Sequence, residues 1–219
     1  MRLFKTSSTP ELIDGPIKYY DLINWWQSAF TEEERARMIA VYQPMGSGIG
    51  MGAENSAPEN HLTEGDLEWS SADILGFLST LAGWFNNKHD RLIAKKILDK
   101  AASFIPETKS ILSVHFLYQA LIETYYPDRD NPDALSSAIE ACKNQIKIAG
   151  AAAKAFRREY PQDQQLPGHK GYEQLAIIFE KQSDYEEAIN TCQKAMKQGW
   201  SGDWQHRIER CLKRMNNKG

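Results

Sequence analysis

Cysteine is scarce in this chain: 219 residues contain three, Cys142, Cys192 and Cys211. Because they are odd in number and far apart, a disulfide framework is disfavoured and a reducing compartment, the cytoplasm, is predicted. The five histidines form no His-x-x-x-His pattern, and no Cys-x-x-Cys pair occurs. The sequence therefore indicates no zinc site.

Long apolar runs are also missing. No stretch approaches the ~18–20 apolar residues of a spanning helix, and no apolar segment follows the early positive charges as in a secretory signal. Lys plus Arg number 26 against 29 Asp plus Glu, a net charge of −3. No global field would attract nucleic acid or an anionic membrane, so neither is expected as a partner. Hydrophobic residues at 42% and charged residues at 25% are typical of a soluble globular protein.

Alternating strand patterns are scarce, whereas apolar residues recur at spacings of three and four. The fold class predicted is therefore all-α. Composition divides the chain into four parts: a flexible lead-in over 1–17, an N-terminal helical pair over 18–42, a Gly/Pro-rich loop over 43–69 and a helical body over 70–219. In the second part, Thr31 to Glu34 is a predicted capping box.

The helical body contains clear start and stop signals. Ser70 or Ser71 is a predicted N-cap, and Asn131-Pro132 is a strong helix start because Asn caps and Pro suits the first helical position. Pro106 and Pro161 end helical patterns. The helices predicted from these signals cover about 70–86, 90–106, 108–126, 169–182, 185–198 and 202–216. The helix that begins at 131 is predicted to end either in the Gly150 region or at Arg158.

A repeat is visible in the body. The clearest unit runs from Gly171 to Trp200, and weaker units begin near Leu78 and Tyr118. The pattern resembles the tetratricopeptide repeat (TPR), with Trp200 at the position of its closing Pro. The resemblance implies antiparallel helix pairs stacked as a right-handed α-solenoid, with residues 202–216 as a capping helix. The signature positions of the clearest unit are Tyr172, Leu175, Ala176, Phe179, Tyr185, Ala188, Cys192 and Ala195.

The resemblance also implies a function, since the first helices of successive TPR units line a concave groove that binds a peptide or protein. A known carboxylate clamp of Lys and Asn is absent, because Ser79, Gly83, Glu173 and Ile177 occupy its positions. The acidic residues instead favour an extended segment with basic character. No catalytic residue, cofactor or metal is predicted. The predicted groove residues are Asn86, Asn87, Gln119, Glu123, Tyr126, Glu173, Ile177, Glu180 and Lys181.

Two alternatives remain. The chain could be a self-associating scaffold joined through exposed Trp25 or Trp200, or an enzyme or nucleic-acid factor with its site in the N-terminal third. The Gly-rich run 46–53 follows a predicted helix rather than a strand, so it is interpreted as a linker and not as a phosphate-binding loop.

The sequence also predicts whether certain single side chains are exposed or buried. His89 and His169 lie near helix starts and are expected to be exposed, whereas His115 is expected to pack in an apolar face. Side chains predicted to be buried on apolar stripes are Cys192, Cys211, Trp26, Trp84 and Trp204.

Overall fold

The computed structural model describes residues 12–44 and 60–217. These residues are mostly helical, which confirms the all-α class. The chain divides into two compact units, Met1–Ala72 and Asp73–Gly219. Most of the predicted lead-in and the Gly-rich run lie outside the described residues.

Over residues 12–44 and 60–72, the first unit has three helices: α1 (Gly15–Tyr19), α2 (Ile23–Ala29) and α3 (Glu32–Val41). The capping box is confirmed. Thr31 Oγ1 accepts from the Glu34 N–H at 3.2 Å, and Glu34 Oε2 accepts from the Thr31 N–H at 2.9 Å. This reciprocal pair satisfies two backbone donors that α3 would otherwise leave open.

Residues 60–65 form backbone hydrogen bonds with the start of α1. The backbone N–H of Asp14 donates to the Thr63 carbonyl at 2.8 Å, and that of Ile17 donates to the Leu62 carbonyl at 3.1 Å. Part of the predicted lead-in is therefore joined to part of the predicted loop. The unit buries Ile17, Leu22, Trp26, Met38 and Leu62.

The described part of the second unit, residues 73–217, has seven α-helices. Asp73 caps the first of them by accepting from the Gly76 N–H at 2.8 Å, so the predicted cap at Ser70 or Ser71 was wrong by two or more residues. The start at Asn131-Pro132 is confirmed, with Asn131 accepting from the Asp133 N–H at 2.9 Å. The helices are α4 (Ile74–Gly83), α5 (Arg91–Ala102), α6 (Ile111–Tyr125), α7 (Pro132–Glu159), α8 (Lys170–Lys181), α9 (Tyr185–Gln198) and α10 (Trp204–Asn216).

These helices pack in sequential pairs. Helix α4 packs on α5, α6 on α7, and α8 on α9, while α10 packs on α9. Helices α4, α6 and α8 are neighbours in that order. The signature alanines of the clearest repeat unit, Ala176, Ala188 and Ala195, are buried. Their small side chains let two helices approach closely. Further buried alanines on these helices include Ala94, Ala101 and Ala138.

An acidic residue joins the first two helix pairs. Asp128 follows α6 in a 3-10 turn, Tyr126–Asp128, and pairs with Arg91 and Lys95 of α5. The Lys95 ammonium lies 2.7 Å from the carboxylate. Hydrogen bonding and charge from these two cations lower the pKa of Asp128.

A short parallel strand pair was not predicted. Strand β1 (Leu166–Gly168) pairs with β2 (Trp200–Ser201), which brings the segment before α8 against the connection between α9 and α10. Two- and three-residue strands carry too few side chains to show an alternating pattern.

Three side chains differ from prediction in how far they are buried. His169 is 1% exposed and Trp200 is 2% exposed, so both are buried rather than available at the surface. The exposure that the self-association alternative assigned to Trp200 is therefore wrong. Trp84 is 38% exposed and is not a core residue. Trp26, Trp204, His115, Cys192 and Cys211 are buried as predicted.

Candidate functional site

A hollow of about 280 Å³ lies between α4 and α6. It contains three residues carried over from the TPR groove: Ser79, Gln119 and Glu123. The Glu123 carboxylate is exposed and accepts from Gln119 Nε2 at 3.1 Å. Its complete lining is Gly76, Ser79, Thr80, Ser113, Phe116, Gln119, Ala120 and Glu123.

The character of this hollow is mixed apolar and acidic. The Phe116 side chain is 46% exposed, although apolar side chains of this size are usually covered. Ser79 Oγ is buried and has no hydrogen-bond partner within the described residues. The lining carries a carboxylate and no Lys or Arg. The hollow can therefore accept an apolar group, a hydrogen-bonding group and a cation.

Asn86 and Asn87 lie beyond the last turn of α4 and have structural partners. Asn86 Nδ2 donates to the Glu123 carbonyl at 3.1 Å, which joins the end of α4 to α6. Asn87 Oδ1 accepts from the backbone N–H groups of His89 and Asp90, and its Nδ2 donates to Asp90 Oδ2 at 2.7 Å. Asn87 therefore shapes the turn into α5.

Tyr126 and Lys181 lie together where α6 and α8 end. Lys181 Nζ donates to Tyr126 Oη at 3.2 Å, and the Arg129 guanidinium lies 5.0 Å from the centroid of the Tyr126 ring. The surface around these two residues is therefore basic and aromatic, in contrast to the acidic hollow between α4 and α6.

Glu180 does not face solvent. Its side chain is 9% exposed and accepts from Arg207 at 2.7 Å, from Arg210 at 2.7 and 2.9 Å, and pairs with Arg214 at 2.9 Å. Hydrogen bonds from Arg210, with the charge of Arg207, lower the pKa of Glu180 to about 2. Because α10 already occupies this carboxylate, Glu180 holds the last helix rather than a ligand.

The other two predicted groove residues on α8 lie apart from the α4–α6 hollow. Glu173 is exposed, pairs with Lys170 at 3.2 Å and lines a separate hollow of about 220 Å³ with His169 and Trp204. Ile177 is half-buried. Of the nine predicted groove residues, only Gln119 and Glu123 line the α4–α6 hollow.

A buried polar cluster was missed by the sequence patterns. The rings of His115 on α6 and His169 before α8 have centroids 5.0 Å apart, and Trp200 stacks on His115 with an interplanar angle of 7°. Gln145 on α7 donates to the His115 carbonyl at 2.9 Å. This network joins the interiors of α6 and α7 to the segment before α8 and to the connection before α10. These parts of the chain are distant in sequence.

The hydrogen bonds assign a neutral form to both histidines. His169 Nδ1 accepts from the Tyr172 N–H at 3.3 Å and caps α8. His115 Nε2 lies 3.4 Å from Gln145 Nε2, which can donate to it. Burial lowers the pKa of His115 to about 4, and burial with the neighbouring His115 lowers that of His169 to about 3. Both rings are therefore neutral near pH 7, and they pack as polar core residues.

A further hollow, of about 540 Å³, lies at the end of α7 beside the strand pair. Its walls include Phe156, Tyr160, Trp200 and Trp204, with Arg157 and Asp163 at polar positions. No sequence motif pointed to it, because its walls come from the end of α7, the loop after it and the connection before α10.

Comparisons with known protein families, curated proteins and solved structures find no match to this chain. Within the described ranges, no group of three or more His, Cys, Asp or Glu side chains is arranged to hold a metal ion. No helix among the same residues has both the length and the apolar character needed to cross a membrane.

Proposed function

We propose that the second unit is a TPR-like module that binds an extended peptide segment of a protein partner, without catalysis. The order of helix contacts supports stacked helix pairs, since α4, α6 and α8 are successive neighbours and each packs on the helix that follows it. The right-handed α-solenoid is what the resemblance to TPR proteins implies for such a stack. The three cysteines are free and buried, which supports a reducing location such as the cytoplasm.

The observation that carries the proposal is the hollow between α4 and α6. Its walls come from α4 and α6, the helices that the resemblance assigns to the binding groove, and it combines exposed Phe116 with the Glu123 carboxylate. A peptide with an apolar side chain next to Lys or Arg complements this pair, because the apolar group covers Phe116 and the cation faces Glu123.

Peptide selection tests the proposal directly. A random peptide library displayed on phage is selected against the full chain, and we expect enrichment of sequences in which Lys or Arg neighbours a large apolar residue. Fluorescence anisotropy then compares binding of one enriched peptide to the native chain and to Glu123→Lys. Reversing this charge should weaken binding by about tenfold or more, since a like charge then faces the peptide cation.

The matched control is Glu140→Lys, which makes the same charge change at an exposed position of α7. It should bind as the native chain does. Equal binding by Glu123→Lys and Glu140→Lys, or enrichment of acidic peptides, would place the binding surface elsewhere. A selection that yields no saturable peptide would contradict the proposed function itself.

A further inference from the structure

The outer face of α7 carries a line of exposed cations. Lys143, Lys147, Lys154 and Arg158 follow one another in steps of four, seven and four residues, and all are exposed. These steps match the helical period, so the four side chains share one face. At 1.5 Å per residue, the line is about 22 Å long. The opposite side of α7 is buried, and it includes Ala138, Cys142, Ala149 and Ala152.

Acidic residues flank this line of cations without interrupting it. Glu140 precedes Lys143 by three residues on the same helical face and Glu159 follows Arg158, but no acidic residue occurs between Ala141 and Arg158. In the part of the chain that the structure describes, Lys143, Lys147 and Lys154 have no ion-pair partner, and Arg158 pairs only with its neighbour Glu159. This differs from α10, where Arg207, Arg210 and Arg214 all pair with the Glu180 carboxylate.

The basic face continues onto the start of α6. Lys109, Lys154 and Arg158 line one shallow hollow, whose lining also includes Ser110, Ile111 and the acidic Glu159. The amino end of α6, a helix of 15 residues, carries partial positive charge and adds to the field of the three cations. The surface available to an anion is therefore longer than α7 alone provides.

We infer that this face of α7 binds the phosphate backbone of a nucleic-acid duplex without reading its sequence. Evenly spaced Lys and Arg side chains are the groups that contact phosphates. A protein partner is less favoured, because the cores of protein interfaces are apolar and depleted in Lys. Here Gly150 and Ala151 lie between the cations, and no large apolar side chain is exposed between Lys143 and Arg158.

The absence of large exposed apolar side chains between Lys143 and Arg158 also favours a duplex over a single strand. Proteins that bind single strands stack the bases on exposed aromatic side chains, and this face carries none from Lys143 to Arg158. The net charge of −3 led us to expect no nucleic-acid partner. At about 0.1 M salt, however, charges beyond roughly 10 Å are largely screened, so the local field of α7 governs contact with this face.

Binding of the full chain to a fluorescein-labelled DNA duplex of about 20 base pairs tests the inference. Anisotropy titrations between about 50 and 200 mM salt should give a dissociation constant on the order of 10⁻⁵ M that rises steeply with salt. The variant Lys143→Gln/Lys147→Gln/Lys154→Gln should bind about tenfold or more weakly at low salt. Its log–log salt slope should be shallower by about 3, since each phosphate contact contributes roughly 0.9.

The control variant is Lys194→Gln/Lys197→Gln/Lys213→Gln, which removes the same charge from exposed positions of α9 and α10. It should keep the affinity and salt slope of the native chain. Circular dichroism melting of both variants checks that each is folded. Absence of duplex binding at the lowest salt, or an equal loss in both variants, would overturn the inference.

A third arm uses polyglutamate as the acidic-peptide probe. Under the inference, polyglutamate competes poorly with the duplex at equal charge concentration. If it binds more tightly than the duplex and the α7 variant abolishes that binding, the face recognises an acidic protein and the nucleic-acid inference is wrong. Neither result tests the proposed peptide site in the α4–α6 hollow. Glu123→Lys, which alters that hollow, should leave duplex binding unweakened.

Discussion

Gly171 at the start of α8 lies against Gln145 in the interior of α7. The Gly171 N–H donates to Gln145 Oε1 at 2.6 Å, and a Cβ on Gly171 would lie 2.8 Å from that oxygen and 2.9 Å from the Cys142 carbonyl oxygen. Both distances are shorter than van der Waals contact. Only glycine therefore allows α7 and α8 to approach this closely while Gln145 keeps its bond to His115.

Gly171→Ala should destabilise the protein. The added methyl group must displace Gln145 or separate the two helices, which should lower the free energy of unfolding by about 1–3 kcal/mol. Urea denaturation followed by circular dichroism measures the change. In the control Gly150→Ala, the new methyl group meets nothing within 4 Å on an exposed face of α7, and stability should rise by about 0.5–1 kcal/mol. A Gly171→Ala protein as stable as the native one would contradict the close packing described.

Glu180→Gln should loosen α10. Three arginines converge on this carboxylate, and a neutral amide would leave their charges facing one another, so the free energy of unfolding should fall by about 1–3 kcal/mol at pH 7. The folded pKa of about 2 lies below the ordinary value of 4.5. The ionised group therefore stabilises the fold above about pH 4.5, and this contribution is lost between pH 4.5 and 2.

The difference between Glu180→Gln and the native chain should accordingly shrink below pH 4.5. Urea titrations at several pH values measure it. Glu209→Gln, at an exposed position of α10, is the matched control and should change stability by less than about 0.5 kcal/mol. A difference that stays constant down to pH 2 would show that Glu180 acts by packing and not by charge.

The buried histidines should also make the protein less stable in acid, and their effect should begin at a higher pH than the effect of Glu180. The pKa of His115 is lowered to about 4 and that of His169 to about 3, against 6.5 for the free side chain. The unfolded chain therefore binds more protons, and stability falls as the pH drops from about 6.5 through 4. Each ring contributes up to about 1.4 kcal/mol per pH unit in this range.

The variant His115→Phe keeps an aromatic ring beside Trp200 and removes one titrating group. The slope of unfolding free energy against pH, between pH 6.5 and 4.5, should fall by about half. An unchanged slope in His115→Phe would mean that His115 already takes up its proton in the folded state.

Sequence patterns predicted the helices of the second unit to within a few residues, because caps, prolines and apolar spacing are local signals. The N-cap of α4 was predicted at the wrong residue because Ser70, Ser71 and Asp73 are all good capping residues. Which of them caps the helix depends on where the helix begins, and it begins at Ile74. Burial of alanines such as Ala176 followed directly from the repeat pattern.

The candidate sites were much less predictable. His169 was expected at the surface because it begins a helix, yet β1 and β2 bring Trp200 over it, with ring centroids 4.6 Å apart. Glu180 occupies a groove position in the repeat pattern, but α10 supplies three arginines that the pattern of α8 does not reveal. Such pairings depend on residues 27 or more positions apart, which local periodicity does not report.

The buried cysteines should be unreactive in the folded protein. Burial raises the pKa of Cys142 to about 12 and that of Cys192 to about 11, and it also raises the pKa of Cys211. The thiolate is the reactive form, so Ellman's reagent at pH 8 should modify none of the three on the timescale on which a small thiol reacts. In denaturing urea all three should react at once. Fast modification of one thiol in the folded protein would show that the helices around that residue open without global unfolding, and mass spectrometry of the labelled peptide would identify which one.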